Sequence, residues 1–178
     1  MMVTEKMIAT FLANTEFFAS FSMDEILEFI PNIDLVQAED ESILFEEDDA
    51  GDAWYMLLHG TVGIVRNMPN GPPHELARLE TGECFGEMAL IDDAPRMASA
   101  VCHEDSVLAS ISKDCFDRLL AENDPLATRL LRAMAGVICR RQRELTTILQ
   151  DIVDFQEPSN TLGSPDLANA LQRHMTWN

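Results

Sequence analysis

Positive charge is scarce in this chain. Lys and Arg number 12 against 31 Asp and Glu, a formal net charge of −19. So acidic a surface repels phosphate backbones, which argues against sequence-independent binding of DNA or RNA. Five of the bases (Arg129, Arg132, Arg140, Arg141 and Arg143) share one short stretch, too regular in its apolar spacing to be a basic tail. Long apolar runs are missing as well. None approaches the roughly 18 residues of a membrane span. The opening "MMVTEKMIATFLANTEFF" has no long apolar region followed by a cleavage site, so no signal peptide is expected. Cys84, Cys102, Cys115 and Cys139 form no CxxC pair and read as buried free thiols in a reducing cytoplasm. His59, His74, His103 and His174 are dispersed, without H-x-H or H-x-x-x-H spacing, so no metal site is expected. A nucleophile motif, a P-loop and a G-x-G-x-x-G are all lacking, and no catalysis or cofactor is expected. The run "EDESILFEEDDAGD" lacks the register of a calcium loop and reads as a solvated acidic turn around a strand.

What is present suits one domain with an appendage: 178 residues, 47% of them hydrophobic. Residues 1 to 30 read as helix, with Met7, Phe11, Phe17, Phe18 and Phe21 at helical intervals. Ser22 and Glu25 form a capping-box pattern, and Pro31 closes that segment. From about 33 to 111 the period shortens to short apolar or alternating runs: "ILF", "AWYMLL", "TVGIV", "HELARL", "SAVC" and "SVLASI". Gly-rich turns separate them, and Asn70-Gly71 is the best hairpin signal. The expected class is α+β: an antiparallel β-roll, a jelly-roll-like barrel, flanked by N-terminal helices and a long C-terminal helix.

Helical periodicity returns after Ser112. "KDCFDRLLAE" forms a short helix, and Pro125 opens a second, with Asp124 as its cap. That helix is expected over about 125 to 151, with an apolar stripe of Leu126, Leu130, Met134, Val137, Ile138, Leu145, Ile148, Leu149 and Ile152. "RRQR" at 140 to 143 interrupts it. The stripe exceeds what a small β domain covers, so a homodimer through 125 to 151 is expected, against packing on its own barrel. The domain is read as residues 1 to 152, with 153 to 178 a linker and short tail.

The stretch "CFGEMALIDDAPRMASA", residues 84 to 100, carries the chemistry. Arg96 is the only Lys or Arg between Arg78 and Lys113. Its planar fork of donors suits a phosphate. Gly86 permits a tight turn and close approach of a ligand, and the turn after it presents backbone N–H groups. Pro95 stiffens the approach, small residues from Ala98 leave room, and Glu87 can accept from a sugar hydroxyl. These features describe a pocket for a phosphorylated sugar. The alternative is a surface ion pair of Arg96 with Asp92 or Asp93.

The stretch resembles the phosphate-binding cassette of cyclic nucleotide-binding domains, the family of the catabolite activator protein and the protein kinase A regulatory subunits. That cassette reads approximately F-G-E-L-A-L-x-x-x-x-P-R-x-A-[ST], and here only Met88 replaces a Leu. "FEEDDAGDAWYMLLHGTVGIV" is similar to the family's preceding segment, with Tyr55 and Gly60 in place and Asp48 where the family often has Gly. "LETGECFGE" resembles its lead-in. The resemblance covers about residues 15 to 150. It implies that Arg96 pairs with a cyclic phosphate and Glu87 with the ribose 2′-hydroxyl. Phe85, Gly86, Met88, Ala89, Pro95, Met97 and Ala98 complete the expected contacts. Met97 offers no hydroxyl to a guanine amino group, which leans toward cAMP over cGMP. Arg141 or Gln142 is expected to cap the base; the alternative is a solvated helix face. The 26 or so residues after the long helix are too few and too acidic for a helix-turn-helix domain. The expectation is a stand-alone, cytoplasmic, cAMP-sensing regulatory protein acting on an unknown protein partner by moving its C-terminal helix. The competing expectation is an interaction module of the same fold that binds no nucleotide.

Overall fold

The computed structural model describes residues 5–155. It forms a compact unit ending at Cys139 and a second beginning at Arg140. The N-terminal segment is two helices, α1 (Glu5–Ala13) and α2 (Met23–Phe29), where the sequence suggested one helical region. Ser22 caps α2 as expected. Its hydroxyl accepts from the Glu25 N–H, and the Glu25 carboxylate accepts from the Ser22 N–H at 2.8 Å. Pro31 sits in a single 3-10 turn (Ile30–Asn32) that ends the segment.

Eight strands follow: β1 (Asp34–Ala38), β2 (Ile43–Phe45), β3 (Ala53–His59), β4 (Thr61–Arg66), β5 (His74–Glu80), β6 (Cys84–Phe85), β7 (Ser99–Cys102) and β8 (Ser106–Ser112). They form two antiparallel four-stranded sheets, ordered β1-β8-β3-β6 and β2-β7-β4-β5. Six of the strands are those the sequence runs suggested. The other two, β1 and β6, carry no periodic signal and exist through pairing: β1 against β8, and β6 through only Tyr55↔Phe85 and Met56↔Cys84. The Asn70-Gly71 turn lies inside the β4–β5 hairpin connection, which spans residues 67–73 rather than two.

Alternation along β3 divides the core in two. Ala53, Tyr55 and Leu57 face the second sheet with Val62, Leu79, Phe85, Ala100, Cys102 and Leu108. Trp54 and Met56 face the helices, packing with Phe17, Phe18, Ile26, Phe29 and Phe116. This side holds the aromatic mass: Phe17 lies 4.8 Å from Trp54, and Phe18 5.0 Å from Phe21. Burying such rings contributes roughly 1.5–3 kcal/mol each. Only Cys84 and Cys102 are buried; Cys115 is half-buried and Cys139 exposed, so the uniformly buried thiols read from the sequence are corrected.

Two short helices complete the first unit. Helix α3 (Glu87–Asp92) follows β6, and α4 (Lys113–Ala121) starts at Ser112, whose hydroxyl accepts from the Cys115 N–H. Helix α5 runs Pro125–Phe155, and the Asp124 carboxylate accepts from the Leu126 N–H at 2.8 Å, the cap expected there. The helix continues through Phe155, into the stretch read as linker. Leu126, Leu130, Met134 and Val137 are buried, whereas Leu145, Ile148 and Leu149 lie exposed. The rest of the expected tail lies outside the described residues.

Candidate functional site

Arg96 is not the surface residue that the neighbouring aspartates suggested. Its side chain is 2% exposed. Asp92 accepts from the Ala94 N–H instead, and Asp93 pairs with Lys113. Asp52, from the loop before β3, takes the guanidinium: Nη2 donates to its Oδ1 at 3.1 Å. Nη2 also donates to the Ala53 carbonyl at 2.6 Å, and Nη1 to the Gly86 carbonyl at 3.0 Å. The Nε–H is buried and makes no hydrogen bond among the described residues. A buried donor without an acceptor costs on the order of 1–3 kcal/mol. An anion seated against that edge would remove this cost, so the arginine fits a phosphate.

Close packing around Arg96 explains the small residues of the stretch. Gly86 has φ +81, and a Cβ there would stand 2.6 Å from Arg96 Nη1 and 3.1 Å from the Ala53 carbonyl oxygen. Any side chain would push the guanidinium off its carbonyls. Gly51 plays a similar part, since its Cβ would lie 2.2 Å from Ala89 Cβ. The β2–β3 loop is therefore pressed against α3.

The acidic run is not merely a solvated turn. The Asp48 N–H donates to the Arg96 carbonyl at 2.9 Å, and the Arg96 N–H donates to the Asp49 carbonyl at 2.8 Å. The Glu46 N–H donates to Asp49 Oδ2, and the Glu47 N–H to Ser99 Oγ at 2.9 Å. Glu47 also accepts from Arg66 Nε and the Asn67 N–H. The loop thus frames the main chain of Arg96. Asp48 sits at φ 70, a left-handed conformation that asparagine and aspartate tolerate better than most residues. Its place is one where the sequence resemblance leads one to expect glycine.

Aromatic rings form the floor. Tyr55 and Phe85 stack at 5.4 Å, and Phe45 stands 5.9 Å from Tyr55. Burial above all, then the Asp52 carboxylate, pushes the Tyr55 hydroxyl up in pKa, while Arg96 opposes them. Tyr55 is therefore neutral at physiological pH.

The expected site residues fall into two groups. Phe85, Gly86, Glu87, Met88, Ala89, Pro95, Arg96, Met97 and Ala98 all belong to β6, α3 and the loop before β7. Glu87 is buried at 3% exposure, Ala89 and Ala98 are also buried, and Met88 and Met97 lie exposed. Arg141 and Gln142 belong to the second unit, on the continuation of α5, with Arg141 half-buried and Gln142 exposed. The sequence reading did not assign Asp52 or Phe45 to the site. Asp52 had a weak signal, an acidic residue after Gly51; Phe45 had none.

Comparison with known proteins identifies the family of this fold. The profile of the cyclic nucleotide-binding domain matches residues 35–123. The cyclic AMP receptor protein of Thermus thermophilus is 35% identical over 117 residues, 66% of this chain and 52% of that protein. A cAMP-dependent protein kinase regulatory subunit of Aspergillus niger is 32% identical over 124 residues, 70% of this chain and 29% of that one. Among solved structures, a cyclic nucleotide-binding domain of Methylobacillus flagellatus superposes with a TM-score of 0.71 at 25% identity, covering 89% of this chain and 86% of that one. The chain belongs to the cyclic nucleotide-binding domain family. It spans about half or less of the curated relatives' length.

Proposed function

We propose that this protein is a cyclic nucleotide sensor whose signal is cAMP. The observation that carries the reading is the buried Arg96 with an unpartnered Nε–H, in a chain where exposed cations are few. Arg96 binds the cyclic phosphate. Glu87 accepts from the ribose 2′-hydroxyl, and the backbone and side chains of Phe85, Gly86, Met88, Ala89, Pro95, Met97 and Ala98 complete the pocket wall. Two of the relatives carry cAMP in their names, and Met97 brings no hydroxyl for a guanine amino group.

The mechanism is regulatory and includes no chemical step. Nucleotide fastens the loop around Arg96. Binding then shifts the population of α5 orientations, which alters the surface offered to a protein partner in the cytoplasm. The exposed Leu145, Ile148 and Leu149 pair with a second copy of the chain.

Isothermal titration with cAMP, cGMP and a cyclic dinucleotide tests this, using folded protein stripped of ligand. The expected result is micromolar or tighter binding of cAMP, lost in Arg96→Ala. Absence of heat from all three ligands, or unchanged affinity in the variant, overturns the reading. The first of these would favour an interaction module that keeps the fold without the ligand.

A further inference from the structure

Polar groups hold the guanidinium of Arg96 by its edges, through Asp52, Ala53 and Gly86. Acceptors at its edges leave its two faces open to other contacts. Its Cζ lies over the ring of Phe45, 4.0 Å from the ring centroid. From this geometry we infer that Phe45 is a positioning residue for anion binding, aiming Arg96 by a cation–π contact. The inference rests on the reading of Arg96 as the phosphate ligand.

Two features indicate that the contact is built rather than incidental. The first is a bulge. Ile43 pairs with Val101, but Phe45 pairs with Ala100, so β2 advances two residues while β7 advances one. In unbroken alternation Phe45 would share the face of Ile43, which is 55% exposed. The extra residue turns the ring inward beside the buried Ala100. Bulges re-aim side chains in this way. The second is the rigidity of the seat. Phe45 lies 5.9 Å from Tyr55 and 6.0 Å from Phe85, in a group drawn from both sheets. The loop directly after Phe45 holds the Arg96 main chain through Asp48 and Asp49. One segment thus sets both the backbone and the side-chain plane of the arginine. An aromatic face attracts a guanidinium through its quadrupole, and more strongly when both are shielded from water. A leucine of similar bulk fills the space without that attraction.

The test needs a readout that simple packing would not move. In ligand-free protein, the Arg96 guanidinium protons over the ring should be shifted upfield; the resonance is assigned by its loss in Arg96→Lys. Phe45→Leu should abolish that shift, and Phe45→Trp should keep it. In cAMP titration, Phe45→Leu should weaken affinity by about tenfold. Phe45→Trp should restore it, and a trifluorinated phenylalanine, equal in shape but poorer in π density, should fall between. In an Arg96→Lys background, Phe45→Leu should have little further effect. An unshifted Arg96 signal in the wild type overturns the inference. So does equal affinity of the leucine, fluorinated and native proteins. Wild-type protein that shows the shift yet binds no cyclic nucleotide would overturn the proposed function, while leaving Phe45 as the residue that aims Arg96.

Discussion

At the scale of the residue, Arg96 shows how a charge can be buried in an acidic protein. It keeps three acceptors, one of them the carboxylate of Asp52, whose side chain is 76% exposed. Water screens that carboxylate, so the pair contributes less than its 3.1 Å separation suggests. Asp52→Asn should therefore leave the fold intact, whereas Arg96→Ala removes the donor to two carbonyls. The expected cost of Arg96→Ala is about 1–3 kcal/mol of stability, readable as a lower chemical-denaturation midpoint. Asp48 allows the opposite experiment. It holds a left-handed φ of 70 and an exposed side chain, so Asp48→Gly relieves strain without losing packing. The expected gain is about 0.5–1 kcal/mol in urea unfolding, and a loss would show that the side chain stabilises the loop.

At the scale of the element, helix ends and charge pairs set the response to acid. The Glu25 carboxyl is held below its ordinary value of 4.5 by the Ser22 N–H first and the Ser22 hydroxyl second, with Arg129 adding a smaller pull. Arg78 first, then His103, depress Glu75 in the same direction. A depressed carboxyl stabilises the fold fully above its unfolded value and ceases to do so as pH falls through the folded one. The melting temperature should therefore fall as pH drops below about 4.5, and Glu25→Gln should flatten that slope. Ser22→Ala should cost about 1 kcal/mol at neutral pH, because the lost hydroxyl both accepts from the Glu25 N–H and donates to the Glu25 carboxylate.

This capping box was readable in advance, since it depends on residues three apart. The strands "AWYMLL" and "SVLASI" were readable for a similar reason: alternation is local. Strand β6 was not, because two residues hold no period and only Tyr55 and Met56 make them a strand. The cassette from Phe85 to Ala98 was legible as a unit, but the partners of Arg96 were not. Asp52, Ala53 and Phe45 lie more than forty residues upstream, and the contact exists only after β2 and β3 are in place.

At the scale of the whole molecule, the net charge of −19 opposes an anionic ligand at long range. The Debye length shrinks from about 30 Å at 0.01 M salt to about 8 Å at physiological strength, so salt masks the repulsion more than the buried contact. Stopped-flow association of cAMP should therefore quicken as salt rises over that range. A slowing would mean that local positive potential around Arg96 dominates the approach. Assembly gives a second expectation at this scale. Leu145, Ile148 and Leu149 are about half exposed, at 56%, 54% and 48%. Sedimentation should show a dimer that dissociates in Leu145→Ser/Ile148→Ser; a monomeric wild type would refute self-pairing.

The bulge in β2 has a consequence for how such a protein can vary. Because Leu44 is the residue by which β2 outruns β7, the inward aim of Phe45 depends on a count as well as on an identity. Exchanging Leu44 for another strand-former leaves the count unchanged. Deleting it closes the bulge and keeps the ring inward opposite Ala100, whereas retaining it in plain alternation sets Phe45 on the outer face with Ile43. The connection at 67–73, by contrast, can lengthen or shorten without turning any core side chain around. The short strand answers to the register of a single ring, while the long hairpin loop answers to none.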